Sequence, residues 1–201
     1  MPPPYELGKK WTVRSFRFNY KDIFSLEYLY KRVHEWLIDE GYVKDGGGPG
    51  GDYWMENLFL ERDLGGGAKQ LWIWWRTEKS PYSTPFFKFY MDVDFHVLGL
   101  LPYEIVVDGQ KVKTNKGEVD MFVTIRMELD PGKQWDKNFI LGNKYIQNFY
   151  VNRIYRRQIE AVENEAIRDA ARLLGAVKQY FQMESWVPEY AGKPFHPEKG
   201  K

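Results

Sequence analysis

The chain has 201 residues, 29 Lys and Arg against 28 Asp and Glu for a net charge of +1, and no cysteine. Without cysteine there can be no disulfide, thiolate zinc site or cysteine nucleophile, and a reducing interior fits better than secretion. The near-neutral balance supplies no global field for a polyanion, and a chain of this length can bury roughly two-thirds of its unfolded surface in one unstapled core.

The opening MPPPYELGKKW lacks an apolar leader core, and no stretch approaches the ~20 apolar residues of a membrane span. The sequence therefore reads as soluble and cytoplasmic, with no membrane partner. Residues 1–10 form an N-terminal extension, 11–186 a single α+β domain, and 187–201 a tail rich in Pro and Gly.

In WTVRSFRFNY, Phe16, Phe18 and Tyr20 alternate with Arg17 and Asn19, the two-residue period of a half-buried strand. The period then changes. Leu26, Leu29, Tyr30, Val33, Trp36 and Leu37 recur at three- and four-residue steps, which predicts an amphipathic helix capped at Ser25 and stopped at Gly41. After YVKD, a short strand, and the loop GGGPGG come three antiparallel strands: YWMENLFLERDL, KQLWIWWRTEKS and PFFKFYMDVDFHVLGL. Asp108-Gly109 marks a hairpin in EIVVDGQKVKT, and GEVDMFVTIRMELD is a long strand ended by Pro131-Gly132. No strand needs a helical crossover, so the expected sheet is a curved meander.

Residues 143 to 186 read as helix, with Ile159, Val162, Ala166, Ala170, Leu173, Val177 and Phe181 on one stripe against the sheet. Some 40 helical residues would span roughly 60 Å, beyond a globule of about 43 Å. The helix must therefore break, between 141 and 152 or near Gly175, or a partner must cover its excess.

Alternation sorts the strands into two faces. Leu71, Ile73 and Trp75 join Phe87, Phe89, Met91, Val93, Phe95 and Val97, and Val119 through Leu129 at every second position, on an apolar face that must take the long helix. The other face is polar yet carries Trp72, Trp74, Tyr90 and Phe122 among Arg76, Asp92, Asp94, His96 and Arg126. Those tryptophans either pack within the sheet, lie under another element, or form a contact surface for a protein partner or a second copy.

Catalytic signatures are missing. Asp92, Asp94 and His96 share a strand face, but the outer two lie roughly 13 Å apart at two residues per ~6.7 Å, too far for one ion. Only Asp94 and His96 remain as metal candidates. GGGPGG and LGGGAK lack the Gly-Lys-Ser/Thr ending of a phosphate loop, there is no G-x-S-x-G, and His34, His96 and His196 have no nucleophile partner. No catalytic residue or cofactor is assigned.

Residues 133 to 157 carry Lys133, Lys137, Lys144, Arg153, Arg156 and Arg157 against Asp136 alone, whereas 158 to 190 carry six acids and three bases. Arg153, Arg156 and Arg157, at i, i+3 and i+4, would share one helical face beside Tyr145, Phe149, Tyr150 and Tyr155. The segment is either a solvated turn of helix or a place for RNA or a ribonucleoprotein, with phosphates on the cations and bases on the rings.

The order of strand, helix, glycine-rich loop DGGGPGG, meander and long C-terminal helix resembles the helix-grip fold of the START and pollen-allergen superfamily. That resemblance implies a sheet wrapped on the last helix with a ligand cavity between them. The segments WIWWRT and DVDFHVLGL are similar to those of archaeal proteins, which implies an origin but no activity. The sequence thus supports a non-catalytic binding protein that uses the aromatic sheet face and the basic segment for macromolecular contact. The alternative is a carrier of a small apolar molecule or lipid, although Phe16, Phe18, Phe87, Phe89, Phe95 and Trp75 are expected to fill the interior.

Overall fold

A computed structural model describes residues 5–43, 55–81, 84–107, 110–139 and 141–181. The loop GGGPGG, the dipeptide Asp108-Gly109 and the tail 187–201 lie outside the described residues. The chain is α+β, with strands β1 (Lys10–Phe24), β2 (Glu56–Gly65), β3 (Ala68–Lys79), β4 (Phe87–Val107) and β5 (Gln110–Leu129). Helix α1 (Leu26–Asp39) follows β1, and α2 (Lys144–Phe149) and α3 (Arg156–Tyr180) follow β5. Among the described residues, no helix is long and apolar enough to cross a membrane.

The sheet is antiparallel throughout, in the order β1-β5-β4-β3-β2. The meander holds for β2 to β5 only. β1 pairs with β5, from Lys10↔Glu128 to Phe24↔Asn115, so the chain crosses from one edge of the sheet to the other through α1. Alternation identifies β1 as a strand but cannot name a partner about a hundred residues away.

β4 and β5 are also longer than their sequence periods suggest. Gly99, at φ +61°, forms a bulge where the β4–β5 register shifts between Leu98 and Leu101. Beyond it the pairing resumes and runs to Val107↔Gln110. The hairpin expected around 104–114 is therefore the far end of these two strands, because a bulge shifts the alternation without ending the ladder. Opposite it stands Gly117, where an added Cβ would lie 3.2 Å from the Gly99 oxygen and the Leu98 oxygen.

Both helices cover the apolar face. Trp75, Phe89, Met91, Val93, Val97, Val119, Met121, Val123, Ile125 and Met127 are fully buried, beneath Leu29, Val33 and Leu37 of α1 and Ile159, Ala166, Ala170 and Leu173 of α3. Ser25 caps α1 by accepting a hydrogen bond from the Tyr28 amide. Phe16 and Phe87 sit half-buried at the margin of this core.

The C-terminal helix does break. After α2 comes a π-helical turn, Tyr150–Ile154, then a bend at Tyr155, and α3 runs unbroken through Gly175 to Tyr180. The N-terminal segment holds the break: the Tyr5 amide donates to Asn152 Oδ1 at 2.8 Å, and Asn152 Nδ2 donates to the Tyr5 carbonyl at 3.1 Å. Tyr5 and Trp11 then both donate to the Glu163 carboxylate, at 2.8 and 2.7 Å.

Candidate contact surfaces and an apolar pocket

The strand register arranges the outer face in transverse rows. Trp72 lies beside His96 and Asp120, Trp74 beside Asp94 and Phe122, and Arg76 beside Asp92 and Thr124. The six aromatic and arginine residues expected on this face are all there. Trp74 and Phe122 are about two-fifths exposed, while Trp72, Tyr90, Arg76 and Arg126 are half-buried.

Its charges are largely satisfied from within. Asp92 is buried between Arg76 and Arg126, and Asp94 also pairs with Arg76. Tyr90 donates to Glu128 at 2.7 Å and lies under Lys10, whose ammonium is 3.6 Å from the ring centroid. Arg17 donates to Asp120 at 3.2 Å, which with Asn19 holds that carboxyl below its usual range. Arg17 also stacks over Phe122, and Arg76 over Trp74. What this face leaves to a partner is therefore aromatic area. Of the two metal candidates, Asp94 faces Arg76, and His96 Nε2 contacts Gln70 at 2.8 Å with its ring stacked on Trp72. No group of three or more carboxylate or imidazole ligands gathers among the described residues.

The basic segment differs from its sequence reading in one respect. Arg153 lies in the π-helical turn and Arg156 and Arg157 open α3 beyond the Tyr155 bend, so the three arginines do not share one face of a continuous α-helix. Arg156 is also engaged, 3.0 Å from Glu160 and stacked over Tyr5. Helical spacing cannot reveal a π turn, which adds a residue per turn and so rotates every later side chain about the axis. Lys144, Arg153 and Arg157 remain exposed, with no ion pair among the described residues. Beside them Tyr145 and Phe149, one turn apart on α2, are 87% and 62% exposed, and Phe139 is fully exposed.

Phe18, Trp75, Phe89 and Phe95 are buried in the interior, with Trp75 packed against Tyr30 and His34 of α1, yet space for a small ligand exists. An open pocket of about 520 Å³ lies under α1 at the β2–β3 side, floored by Leu26, Tyr30, Phe59, Leu71, Ile73 and Leu100. Its rim carries the ion pairs Lys31–Glu27 and Lys69–Glu61, each at 2.6 Å. The inward aromatics, Trp75 under α1 among them, therefore leave part of the space beneath α1 open.

One polar cluster was not anticipated. Asp169, buried in α3, accepts from Tyr42 at 2.8 Å, Lys79 at 3.0 Å and Arg172 at 2.6 Å. Burial alone would push its carboxyl up, but the hydrogen bonds from Tyr42, Lys79 and Arg172 outweigh that and hold it below the usual range. Burial and the Asp169 charge together push the Tyr42 phenol far up. Every member is paired, so the cluster reads as a structural clamp joining the segment that follows α1 to β3 and α3. The sequence does hold a signal: Asp169 interrupts the apolar stripe between Ala166, Ala170 and Leu173.

No protein-family model matches the chain, and no curated protein is detectably similar to it.

Proposed function

We propose that this is a non-catalytic, cytoplasmic binding protein, whose aromatic sheet face contacts protein and whose basic segment contacts an anionic macromolecule, RNA or a ribonucleoprotein. The observation that carries the reading is the juxtaposition of exposed Tyr145 and Phe149 with Lys144, Arg153 and Arg157, cations that form no ion pair among the described residues, Lys144 lying only within longer electrostatic reach of Glu6. Rings of this kind stack on unpaired bases while the cations follow phosphates, and such binding weakens steeply with salt. The test is filter binding of mixed cellular RNA at two salt concentrations, with wild type and Arg153→Glu/Arg157→Glu. Salt-dependent retention by wild type, lost in the variant, is expected. Absent or salt-insensitive binding by wild type would discard the RNA reading.

A second reading, the carrier of a small apolar molecule, is favoured by the pocket under α1. Its volume of about 520 Å³ falls within the ~300–1,000 Å³ of ligand sites, and its floor is apolar. The order β1, α1, β2 to β5, C-terminal helix, with β1 paired to β5, supports the resemblance to the helix-grip fold. Native mass spectrometry of the purified protein reports a retained ligand directly. An unadorned mass of 23.9 kDa per chain would count against the carrier.

A further inference from the structure

The sheet ends on two unlike edges, β1 and β2. An edge strand offers a row of unpaired N–H and C=O groups to another chain, and proteins blunt it with charges and bulges. β1 is blunted: Lys10, Arg14, Arg17 and Lys21 stand exposed along it, with a bulge between Thr12 and Arg14. A second β1 laid beside it would bring cation against cation.

β2 is different. Between its irregularities at Glu56/Leu58 and Asp63/Gly65 the ladder to β3 is regular, and on this stretch Phe59 and Leu60 are 51% and 50% exposed. Leu58 and Leu60 lie on the outer face, as register partners of Trp74 and Trp72. Phe59 points to the other face, as the partner of Ile73, and helps to line the pocket under α1.

We propose that β2 is the seam of a homodimer, pairing antiparallel with β2 of a second copy about a two-fold axis at Phe59. Self-complementarity selects this register. Centred on Phe59, Phe59 meets Phe59 of the second copy, Leu58 meets Leu60, and Asn57 meets Glu61. Centred on Leu60, Phe59 would meet a Glu61 carboxylate, and centred on Glu61, two carboxylates would stand opposite each other, which is destabilising. Of the three, the first sets the most apolar side chains against one another, Phe59 on Phe59 and Leu58 on Leu60 twice, with no like charges opposed.

The seam also accounts for the placement of the tryptophans. Across it, the outer-face row Trp74–Leu58 continues into Leu60–Trp72 of the second copy, and the symmetric row repeats it, giving one apolar strip where each chain alone has an exposed margin. On the other face the two Phe59 rings meet beside the two pockets. The contact is isologous and closes on itself, and the cationic β1 edges face outward, so the assembly stops at two chains. The inference rests on the reading of the chain as a binding protein, but on a surface separate from the basic segment.

The chain has no cysteine, so single introduced cysteines report the register cleanly. Phe59→Cys would face its own copy with Cα atoms about 4.5–5.5 Å apart, inside disulfide reach. Glu61→Cys, displaced along both strands, would lie well beyond it. Mild oxidation is expected to give a covalent dimer of Phe59→Cys and little of Glu61→Cys. Light scattering is expected to give twice 23.9 kDa for wild type and half of that for Phe59→Lys. A monomeric wild type at micromolar concentration, equal cross-linking at both cysteines, or a dimer that persists in Phe59→Lys would each overturn the proposal. Should Phe59→Lys lose its circular dichroism, the cysteine pair still decides. Failure of RNA binding leaves all these readouts unchanged, so the two proposals fail separately.

Discussion

Tyr42 donates its phenolic hydrogen to Asp169 at 2.8 Å, bridging 127 residues of sequence inside the core, with Lys79 on the same carboxylate oxygen. Removing one partner from such a buried set leaves an uncompensated charge and costs about 3–5 kcal/mol. Asp169→Asn, which strands Lys79, is expected to lose stability on that scale in urea unfolding at pH 7. Because the folded carboxyl titrates below its ordinary value of 3.8, its contribution is fully present above that pH and is lost as pH falls through the lower folded value. The gap between wild type and Asp169→Asn should therefore shrink on acidification below pH 3.8. A gap constant from pH 7 to pH 3 would remove the ionised carboxylate from the account.

Val123 sits at the centre of the sheet, fully buried and paired with Phe16 and Val93. Val123→Asp puts an unpaired carboxylate there and should destabilise by several kcal/mol. Thermal unfolding at neutral pH measures it, and an unchanged midpoint would mean the face is not core.

The β4–β5 bulge makes a finer prediction. Gly117→Ala would press a methyl against backbone atoms at 3.2 Å, none of which can swing aside as a side chain would. Overpacking of this kind costs about 1–3 kcal/mol. Denaturant titration of Gly117→Ala tests it, with exposed Gly175→Ala, where a Cβ meets nothing within 4 Å, as the control.

These sites differ in how far the sequence discloses them. The faces of β3, β4 and β5 were legible because alternation is a local property, and Trp75 inward with Trp72 and Trp74 outward follows from it. The β1–β5 pairing and the π turn at Tyr150–Ile154 were not, since one is a long-range choice and the other a departure from the helical period itself. Asp169 lies between these cases. A carboxylate at a core position of α3 demands partners, but Tyr42 and Lys79 could be named only once α1 and β3 were placed beside it.

Trp72 and Trp74 test the outer face. Trp72 stacks on His96 with centroids 5.3 Å apart, and such a ring pair contributes about 0.5–1.5 kcal/mol. Replacing both tryptophans by Thr, which suits an exposed strand, should therefore cost about 1–2 kcal/mol while leaving the far-ultraviolet spectrum intact. The same variant should lose self-association by light scattering. If it unfolds outright, the two rings belong to the core.

The arginines at the start of α3 set stability against binding. A helix N-terminus carries a partial positive charge, and carboxylates there stabilise by about 0.3–1 kcal/mol. Yet the first turn of α3 has no acidic residue and opens with Arg156 and Arg157. Arg156 is offset by Glu160 and the Tyr5 ring, so Arg156→Glu, which sets two carboxylates one turn apart, should destabilise modestly. Arg157 has no such partner among the described residues, and Arg157→Glu should leave stability unchanged or raise it by up to about 1 kcal/mol. If the segment binds a polyanion, that same substitution should weaken RNA retention for all sequences alike, because phosphate contacts carry no base information. Thermal unfolding and filter binding of the two single variants measure both quantities. A variant Arg157→Glu that is more stable and binds less RNA would show an arginine kept for binding at the expense of the helix; one that binds as wild type does would reduce Arg157 to a solvated side chain.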